Sequence, residues 1–249
     1  MLEEPLNQLY EGYGYRKFRM SKFEDYDLYA QNKDFLKKGH IITFTDIDGS
    51  LKALKPDITL SIIKNNNGDS EKVYYNENVY REMGGSFQEI LQVGVESVGQ
   101  IDPYAEAEVI ALAAKSLKIL SEDYVLDLSD VSFIRCLLGG MSLSQRDQEQ
   151  VLALIAQKNT PGIQAMADQG SLSAADAQAI QELMGIYAPL KEGIAQAGRL
   201  ARDNQSWDIL RQLSVTASML EAFGLGGRIR LDFSLVNSMD YYNGVIFQG

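Results

Sequence analysis

Two stretches of sequence decide the fold of this chain: YYNENVYRE at residues 74–82 and LQVGVE at residues 91–96. Side chains alternate between the two faces of a β-strand. The second stretch therefore predicts a strand that turns Leu91, Val93 and Val95 toward a core and Gln92, Gly94 and Glu96 to the opposite face. On that opposite face an amide and a carboxylate flank a glycine, whose missing side chain leaves room for close approach of a ligand.

Two interpretations fit this pattern. In the first, the polar face is the floor of a site for a small polar ligand, and Arg81 on the preceding strand meets an anionic group. In the second, the stretch is an amphipathic strand with a solvated outer face. Strands of the second kind are common, so the pattern alone favours that interpretation.

Several short motifs resemble those of the histidyl-tRNA synthetases, which are class II aminoacyl-tRNA synthetases. FTDIDG followed by ALKPDIT is similar to the family's F-x-D-x-x-G and L-R-P-E-x-T, and VYRE is similar to the arginine-bearing start of motif 2. MDYYNG resembles the histidine-specific L-D-Y-Y-T-G, and YGYRKF lies where motif 1 is expected. The matches keep the family's order along the chain: they lie at residues 13–18, 44–49, 53–59, 79–82 and 239–244.

The chain also departs from the family pattern. The return strand of motif 2 carries two arginines in the synthetases, whereas GSFQEILQ at residues 85–92 carries none. The histidine-specific segment is normally preceded by R-G, and Asn237-Ser238 stands there instead. Adenylate formation needs cationic groups that offset charge on two reactants and on the transition state. Hydrogen bonds to charged groups contribute about 1.5–3 kcal/mol each, so these replacements predict loss of the activation chemistry.

The resemblance also implies a retained amino-acid pocket. It assigns the ligand's ammonium group to Asp57 and Gln92 with help from Thr59, and the carboxylate to Arg81. It assigns the two imidazole nitrogens to Glu96 and Tyr242. The alternative is that these polar side chains are relics that now stabilise the sheet. The resemblance favours the pocket, which predicts these histidine-binding residues: Asp57, Thr59, Arg81, Gln92, Glu96 and Tyr242.

A kept histidine pocket with lost activation residues resembles the regulatory subunit of ATP phosphoribosyltransferase, a synthetase-like family without the anticodon-binding domain. The resemblance implies a non-catalytic subunit that supports the first step of histidine biosynthesis beside a short-form catalytic subunit and senses free histidine. It further implies a homodimer through motif 1 and no catalytic residue, cofactor or tRNA partner. From composition we also expect no metal site, no membrane partner and a cytoplasmic location, because the acidic N-terminus lacks the basic start of a signal peptide. The alternatives are a histidyl-tRNA synthetase catalytic-domain fragment and a stand-alone histidine-binding paralogue.

Composition narrows the functional classes. The 249 residues carry 23 basic and 34 acidic side chains, so the formal charge is 23 − 34 = −11, which opposes binding of a polyanion. His40 is the single histidine and Cys136 the single cysteine, which excludes an intrachain disulfide and a Cys-rich zinc site. We expect Cys136 to be a small buried residue. No apolar run approaches the length of a membrane span.

The pattern along the chain predicts an α+β core with an antiparallel sheet and flanking helices, and the resemblance implies the class II synthetase type of this fold, with a helical insertion. We expect residues 1–143 to form the first part of the core, 144–205 the insertion, and 206–249 the return to the sheet, which ends before motif 3. We expect a hairpin over residues 41–54, a tight turn at Gly84-Gly85 and a helix over 106–120. The expected helix caps are Ser144, Thr160, Ser173 and Ser206, and the expected buried stripe is Leu152, Ile155, Ile180, Leu183, Met184 and Tyr187.

Overall fold

The computed structural model describes residues 2–32, 40–66, 68, 70–236 and 243–249. The chain divides into two compact units, Met1–Asp102 and Pro103–Gly249. Within the described ranges, no helix has both the length and the apolar character that crossing a bilayer requires. The mixture of helices and mainly antiparallel sheets confirms the predicted α+β class.

The described residues of the first unit form two three-stranded sheets and three helices. Its helices are α1 (Glu3–Gly12), α2 (Tyr26–Gln31) and α3 (Thr59–Asn65). Its strands are β1 (Arg16–Lys17), β2 (Phe23–Asp25), β3 (Thr43–Thr45), β4 (Leu51–Leu54), β5 (Glu71–Met83) and β6 (Ser86–Val98). The sheet orders are β1-β5-β6 and β2-β4-β3. The antiparallel pair β3 and β4 confirms the predicted hairpin.

The antiparallel ribbon of β5 and β6 dominates this unit. Its register runs from Glu71 opposite Val98 to Met83 opposite Ser86. Only Gly84 and Gly85 connect the strands, and both have positive φ, at 61° and 81°. A two-residue hairpin turn whose central residues both have positive φ matches the right-handed twist of the strands, and glycine adopts it without strain. The predicted tight turn is thus confirmed.

The ribbon buries the face that the sequence pattern assigns to solvent. Val73, Tyr75 and Val79 of β5 pack with Ile58 and Ile62, around the helix α3. In this register Tyr75 lies opposite Gly94, and Val73 opposite Glu96. The polar residues of β6 therefore share a face with this core.

The prediction for Leu91 is wrong, because its side chain is 63% exposed. The face of β6 that carries Leu91, Val93 and Val95 is only partly covered. On the paired strand, Tyr74 is buried there, with its ring centroid 5.8 Å from that of Tyr10 in α1. The alternation of side chains between two faces was predicted correctly. Buried side chains pack on both faces of the ribbon, however, so alternation alone does not show which face is the core.

The second unit contains a four-stranded sheet and seven helices in the described part of the chain. Its helices are α4 (Pro103–Leu120), α5 (Val131–Gly139), α6 (Gln145–Ala156), α7 (Thr160–Asp168), α8 (Ala174–Met184), α9 (Leu190–Ala197) and α10 (Asn204–Ala222). Its strands are β7 (Leu126–Asp130), β8 (Tyr187–Pro189), β9 (Ile229–Asp232) and β10 (Val245–Gln248), in the order β10-β7-β9-β8. The helix α4 matches the one predicted over 106–120.

Side chains from the predicted insertion and from the flanking segments share one hydrophobic core. Leu128, Ile180 and Leu213 belong to the same buried cluster, although only Ile180 lies within 144–205. Of the predicted stripe, Ile155, Leu183 and Met184 are also buried. The prediction for Tyr187 is wrong: it lies on β8, not on a helix, and is 48% exposed.

Two of the four predicted helix caps are confirmed. The Ser144 hydroxyl accepts the backbone N–H of Asp147 at 3.2 Å, and the Ser173 hydroxyl accepts that of Asp176 at 3.1 Å. Each satisfies one of the backbone donors left free in the first turn of a helix.

The other two caps are displaced from the predicted residues. Asn159, not Thr160, caps α7 by accepting the N–H of Gly162 at 2.9 Å, so Thr160 is already helical. Asp203 caps α10, and Ser206 reciprocates from the third helical position in a capping box. A capping box contains two polar residues three positions apart, so sequence alone did not distinguish the cap from its partner.

Cys136 is only partly buried, which corrects the prediction of a buried apolar role. Its thiol donates a weak hydrogen bond to the Asp203 carboxylate, with Sγ 3.5 Å from Oδ1. Burial and the neighbouring carboxylate both raise the pKa of the Cys136 thiol. The protonated thiol is therefore favoured, which suits a hydrogen-bond donor and not a nucleophile.

Candidate functional site

Five of the six predicted histidine-binding residues lie in one hydrogen-bonded region of the first unit. Asp57 precedes α3, Thr59 is its first residue, Arg81 is on β5, and Gln92 and Glu96 are on β6. The sixth, Tyr242, lies outside the described residues. The ribbon register and the packing of α3 on its face bring these side chains together.

Arg81 links three parts of the site. Its Nε donates to the carbonyl of Pro56 at 2.6 Å, and its Nη2 donates to Oε1 of Gln92 at 3.0 Å. The same Nη2 lies 3.4 Å from Oδ2 of Asp57. These contacts fix the plane of the guanidinium group. Within the described part of the chain its Nη1 makes no hydrogen bond, so one edge of the group remains able to bind an anion.

Thr59 and Glu96 form the second contact of the site. The Thr59 hydroxyl donates to Oε1 of Glu96 at 2.7 Å. Burial raises the pKa of Glu96, the hydrogen bond from Thr59 opposes that rise, and the charge of Asp57 adds to it. Two carboxyl groups close to one guanidinium leave the site acidic, which favours ligands that carry N–H donors or positive charge.

Tyr75 belongs to the site and was missed in the sequence. Its phenol oxygen accepts a hydrogen bond from Nε2 of Gln92 at 3.1 Å. Burial, followed by the charge of Glu96, raises the pKa of Tyr75, so the phenol stays protonated and keeps a proton to donate. Gln92 thus bridges Arg81 and Tyr75, which orients its amide group.

Tyr75 also fills the space above Gly94. A Cβ atom built on Gly94 would lie 2.5 Å from the Tyr75 phenol oxygen and 2.7 Å from Cζ. The expectation that Gly94 leaves room for a ligand is therefore wrong, because the room holds the tyrosine ring. Glycine faces tyrosine across the pair, a pattern that would have indicated this contact once the register was known.

The positions where the synthetase pattern places further arginines carry none in this region. Gln88 lies opposite Arg81 in the ribbon and is exposed. The nearby Lys55 does not compensate, because its side chain is fully buried and its Nζ has no hydrogen-bond partner in the described ranges. Burial lowers the pKa of Lys55, and the charges of Glu77 and Glu24 oppose that shift. Arg81 is therefore the cation that the observed hydrogen bonds place in the site.

The described ranges contain no group of three or more His, Cys, Asp or Glu side chains that could hold a metal ion. The observed groups instead suit a small zwitterion. Carboxylate and amide oxygens accept from ammonium or imidazole N–H groups, and a guanidinium edge donates to a carboxylate. The arrangement is thus chemically suited to an amino acid with a basic or N–H-bearing side chain.

A long antiparallel ribbon with an arginine in the motif 2 position, beside a cluster of carboxyl and amide side chains, is typical of a class II aminoacyl-tRNA synthetase domain. Within that class, the sequence model described as "Histidyl-tRNA synthetase" matches residues 1–249. The chain belongs to the histidyl-tRNA synthetase family.

Curated relatives carry a more specific name. An ATP phosphoribosyltransferase regulatory subunit from Acetivibrio thermocellus is 26% identical over 258 aligned positions, which cover 100% of this chain and 62% of that protein. One from Caldanaerobacter subterraneus subsp. tengcongensis is 27% identical, with 100% of this chain and 66% of that protein covered. The chain thus spans less than two thirds of the length of these relatives.

A solved structure agrees with the fold assignment. An ATP phosphoribosyltransferase regulatory subunit/histidyl-tRNA synthetase from Bacillus halodurans superposes with a TM-score of 0.87 at 23% identity, covering 99% of this chain and 66% of that one. At this level of identity, the likeness establishes the synthetase-like fold.

Proposed function

We propose that this protein is a non-catalytic regulatory subunit of ATP phosphoribosyltransferase, acting in the first step of histidine biosynthesis. The observation that carries the proposal is the clustering of the predicted site residues around Arg81, together with Gln88 opposite Arg81, where the synthetase pattern requires an arginine. The names of the curated relatives support the same function. A histidyl-tRNA synthetase fragment is the weaker alternative, because activation chemistry needs those cations.

Free histidine is the proposed ligand. Asp57 and Gln92 bind its ammonium group with help from Thr59, and the free edge of Arg81 binds its carboxylate. Glu96 accepts the imidazole N–H, and Tyr242 is the proposed partner of the other ring nitrogen. The short reach of the Asp57 side chain and its existing contact with Arg81 suit a ligand held partly through water.

Calorimetry with free histidine tests the ligand. Histidine at one hundred times its dissociation constant should stabilise the full-length protein by about 2.7 kcal/mol. Glu96→Ala removes the imidazole acceptor, a loss of about 1–3 kcal/mol, so binding should weaken about tenfold or more. Glu89→Ala is the control, because Glu89 lies on the same strand but bonds Tyr80 on the other face. Equal binding by wild type and Glu96→Ala would mean that the site residues only stabilise the sheet.

The proposed absence of catalysis has its own measurement. Histidine-dependent exchange of pyrophosphate into ATP should stay at the background of a protein-free sample. A robust exchange rate would identify the protein as an active synthetase, whatever its affinity for histidine.

Assembly follows from the same proposal. The partner is a short-form catalytic subunit, and the segment from Tyr13 to Phe23 supplies the interface of a homodimer. Histidine regulates the complex only if it binds two assembly states with different affinity. Sedimentation of the full-length protein, alone and with a catalytic subunit, measures formation of the homodimer and binding of the partner. Histidine binding without any association would instead indicate a stand-alone histidine sensor.

A further inference from the structure

The second unit has an open groove between α9 and α10 that no described element covers. We call it the Trp207 groove; its volume is about 460 Å³, and it is lined by Ile194, Ala195, Gly198, Arg199, Trp207, Leu210, Arg211 and Ser214. It therefore lies wholly within the second unit. The candidate histidine site, on α3 and the β5–β6 ribbon, belongs to the first unit and shares no residue with it.

Trp207 is the dominant side chain of the groove. It is the only tryptophan in the sequence, and 48% of it is exposed. Gly198 lets the indole approach α9, since a Cβ there would lie 3.3 Å from Cη2. One side of the ring is thus supported while the rest faces solvent. Tryptophan and arginine are enriched among the central residues of protein interfaces, which contribute most of the binding energy.

The charge of the groove is opposite to that of the whole protein. Its lining holds two arginines and no acidic residue, on a chain with a formal charge of −11. Arg211 pairs with Asp208 one turn away. Arg199 is exposed and forms no ion pair with any described residue. An exposed guanidinium beside an apolar floor complements a partner surface that carries carboxylates next to large apolar side chains.

We propose that the Trp207 groove docks an acidic amphipathic helix of the catalytic partner chain, which rests on the proposed function. Two neighbouring helices that line an apolar floor form the kind of groove that accepts a third helix through side chains spaced three and four residues apart. A nucleotide would also match an aromatic ring and two arginines. The open shape disfavours it, because small-ligand sites enclose most of the ligand surface.

Trp207 itself provides the direct measurement. The full-length protein is labelled with 5-fluorotryptophan, and its ¹⁹F resonance from position 207 is assigned with the Trp207→Phe variant. Addition of the unlabelled catalytic subunit should shift this resonance. Adenosine monophosphate or ATP alone, and raised concentration of the protein alone, should leave it unchanged. A shift with the nucleotide, or with the protein's own concentration, would overturn the proposal in favour of a nucleotide or a second copy of this chain.

Affinity measurements complete the test. Arg199→Glu and Trp207→Ala should each weaken binding of the catalytic subunit at least tenfold, which corresponds to about 1.4 kcal/mol. Arg146→Glu is the matched control, because Arg146 is exposed on α6, outside the groove. This variant should bind the catalytic subunit as tightly as wild type does. Arg199→Glu changes only an exposed side chain, so it tests the groove even if Trp207→Ala fails to fold.

The two proposals fail in different ways. If the wild-type protein does not bind the catalytic subunit, the proposed function fails and the docking site fails with it. If it binds, but Arg199→Glu binds as tightly as wild type and the ¹⁹F resonance does not shift, the function stands and only the docking site is wrong. Histidine affinity should be unchanged in Arg199→Glu, since Arg199 is not among the site residues.

Discussion

The contact between Gly94 and Tyr75 makes a glycine-to-alanine substitution unusually costly. The new Cβ would lie 2.5 Å from the phenol oxygen and 2.7 Å from Cζ of Tyr75, which is itself buried. Overpacking of this kind costs about 1–3 kcal/mol, and loss of the Gln92 hydrogen bond costs about 0.5–1.5 kcal/mol. The smaller chain entropy of alanine in the unfolded state offsets about 0.4–1 kcal/mol. Gly94→Ala should therefore destabilise the protein by about 2 kcal/mol.

Urea unfolding followed by circular dichroism measures this change, with Gly12→Ala as the matched control. Gly12 ends α1 in the same unit, and a Cβ there meets nothing within 4 Å. Alanine in place of a helical glycine stabilises by up to about 1 kcal/mol. Glycine-to-alanine substitution should thus destabilise the protein at position 94 and stabilise it at position 12.

A double-mutant cycle isolates the contact itself. Tyr75→Leu removes the outer ring atoms that the new Cβ would meet, so Gly94→Ala should cost less in that background than in wild type. A coupling energy of about 1–2 kcal/mol is expected for residues in contact. Additive effects, or a Gly94→Ala protein as stable as wild type, would refute the argument that Tyr75 occupies the space above Gly94.

Two further predictions concern single side chains. Because burial raises the pKa of Glu96, the folded state holds its proton more tightly than the unfolded state does, so its contribution to stability declines as the pH rises above about 4.3. In thermal unfolding, the stability of Glu96→Gln relative to wild type should therefore increase from pH 4 to pH 7. A relative stability that decreases over that range would contradict the effect of burial. Ser173→Ala should cost about 1 kcal/mol by removing the cap of α8, whereas the exposed Ser171→Ala should change the free energy of unfolding by less than about 0.5 kcal/mol; equal effects would argue against the cap.

The grouping of the polar side chains was easier to predict from the sequence than the burial of each face of the ribbon. Motif resemblance and strand alternation together assigned Asp57, Arg81 and Glu96 to one region, because the motifs indicate which polar side chains lie close together. Tyr75 was missed because a buried tyrosine looks like an ordinary core residue until the register places it opposite Gly94. Leu91 was placed in a core because alternation specifies two faces without indicating what covers each one.

Local signals had a similar limit in the second unit. Serine followed three residues later by aspartate located the caps of α6 and α8, because both the acceptor and the first turn are visible in the sequence. At α10 the capping box placed the same residue types in reversed roles, with Asp203 as the cap. Tyr187 fits a helical spacing, but Gly185 ends α8 before it and the chain continues as β8.

The short turn at Gly84 and Gly85 has a consequence for the order in which the site assembles. Arg81 and Gln92 are only 11 positions apart and lie on either side of that turn, whereas Arg81 and Asp57 are 24 positions apart. Closing a short loop costs less entropy, and hairpins form within about 1–10 μs. The ribbon can therefore form outward from its turn, which aligns Tyr75, Arg81 and Gln92 before α3 packs against it. Half of the proposed ligand site would then be a product of local folding, and docking of α3 would be the step that completes it.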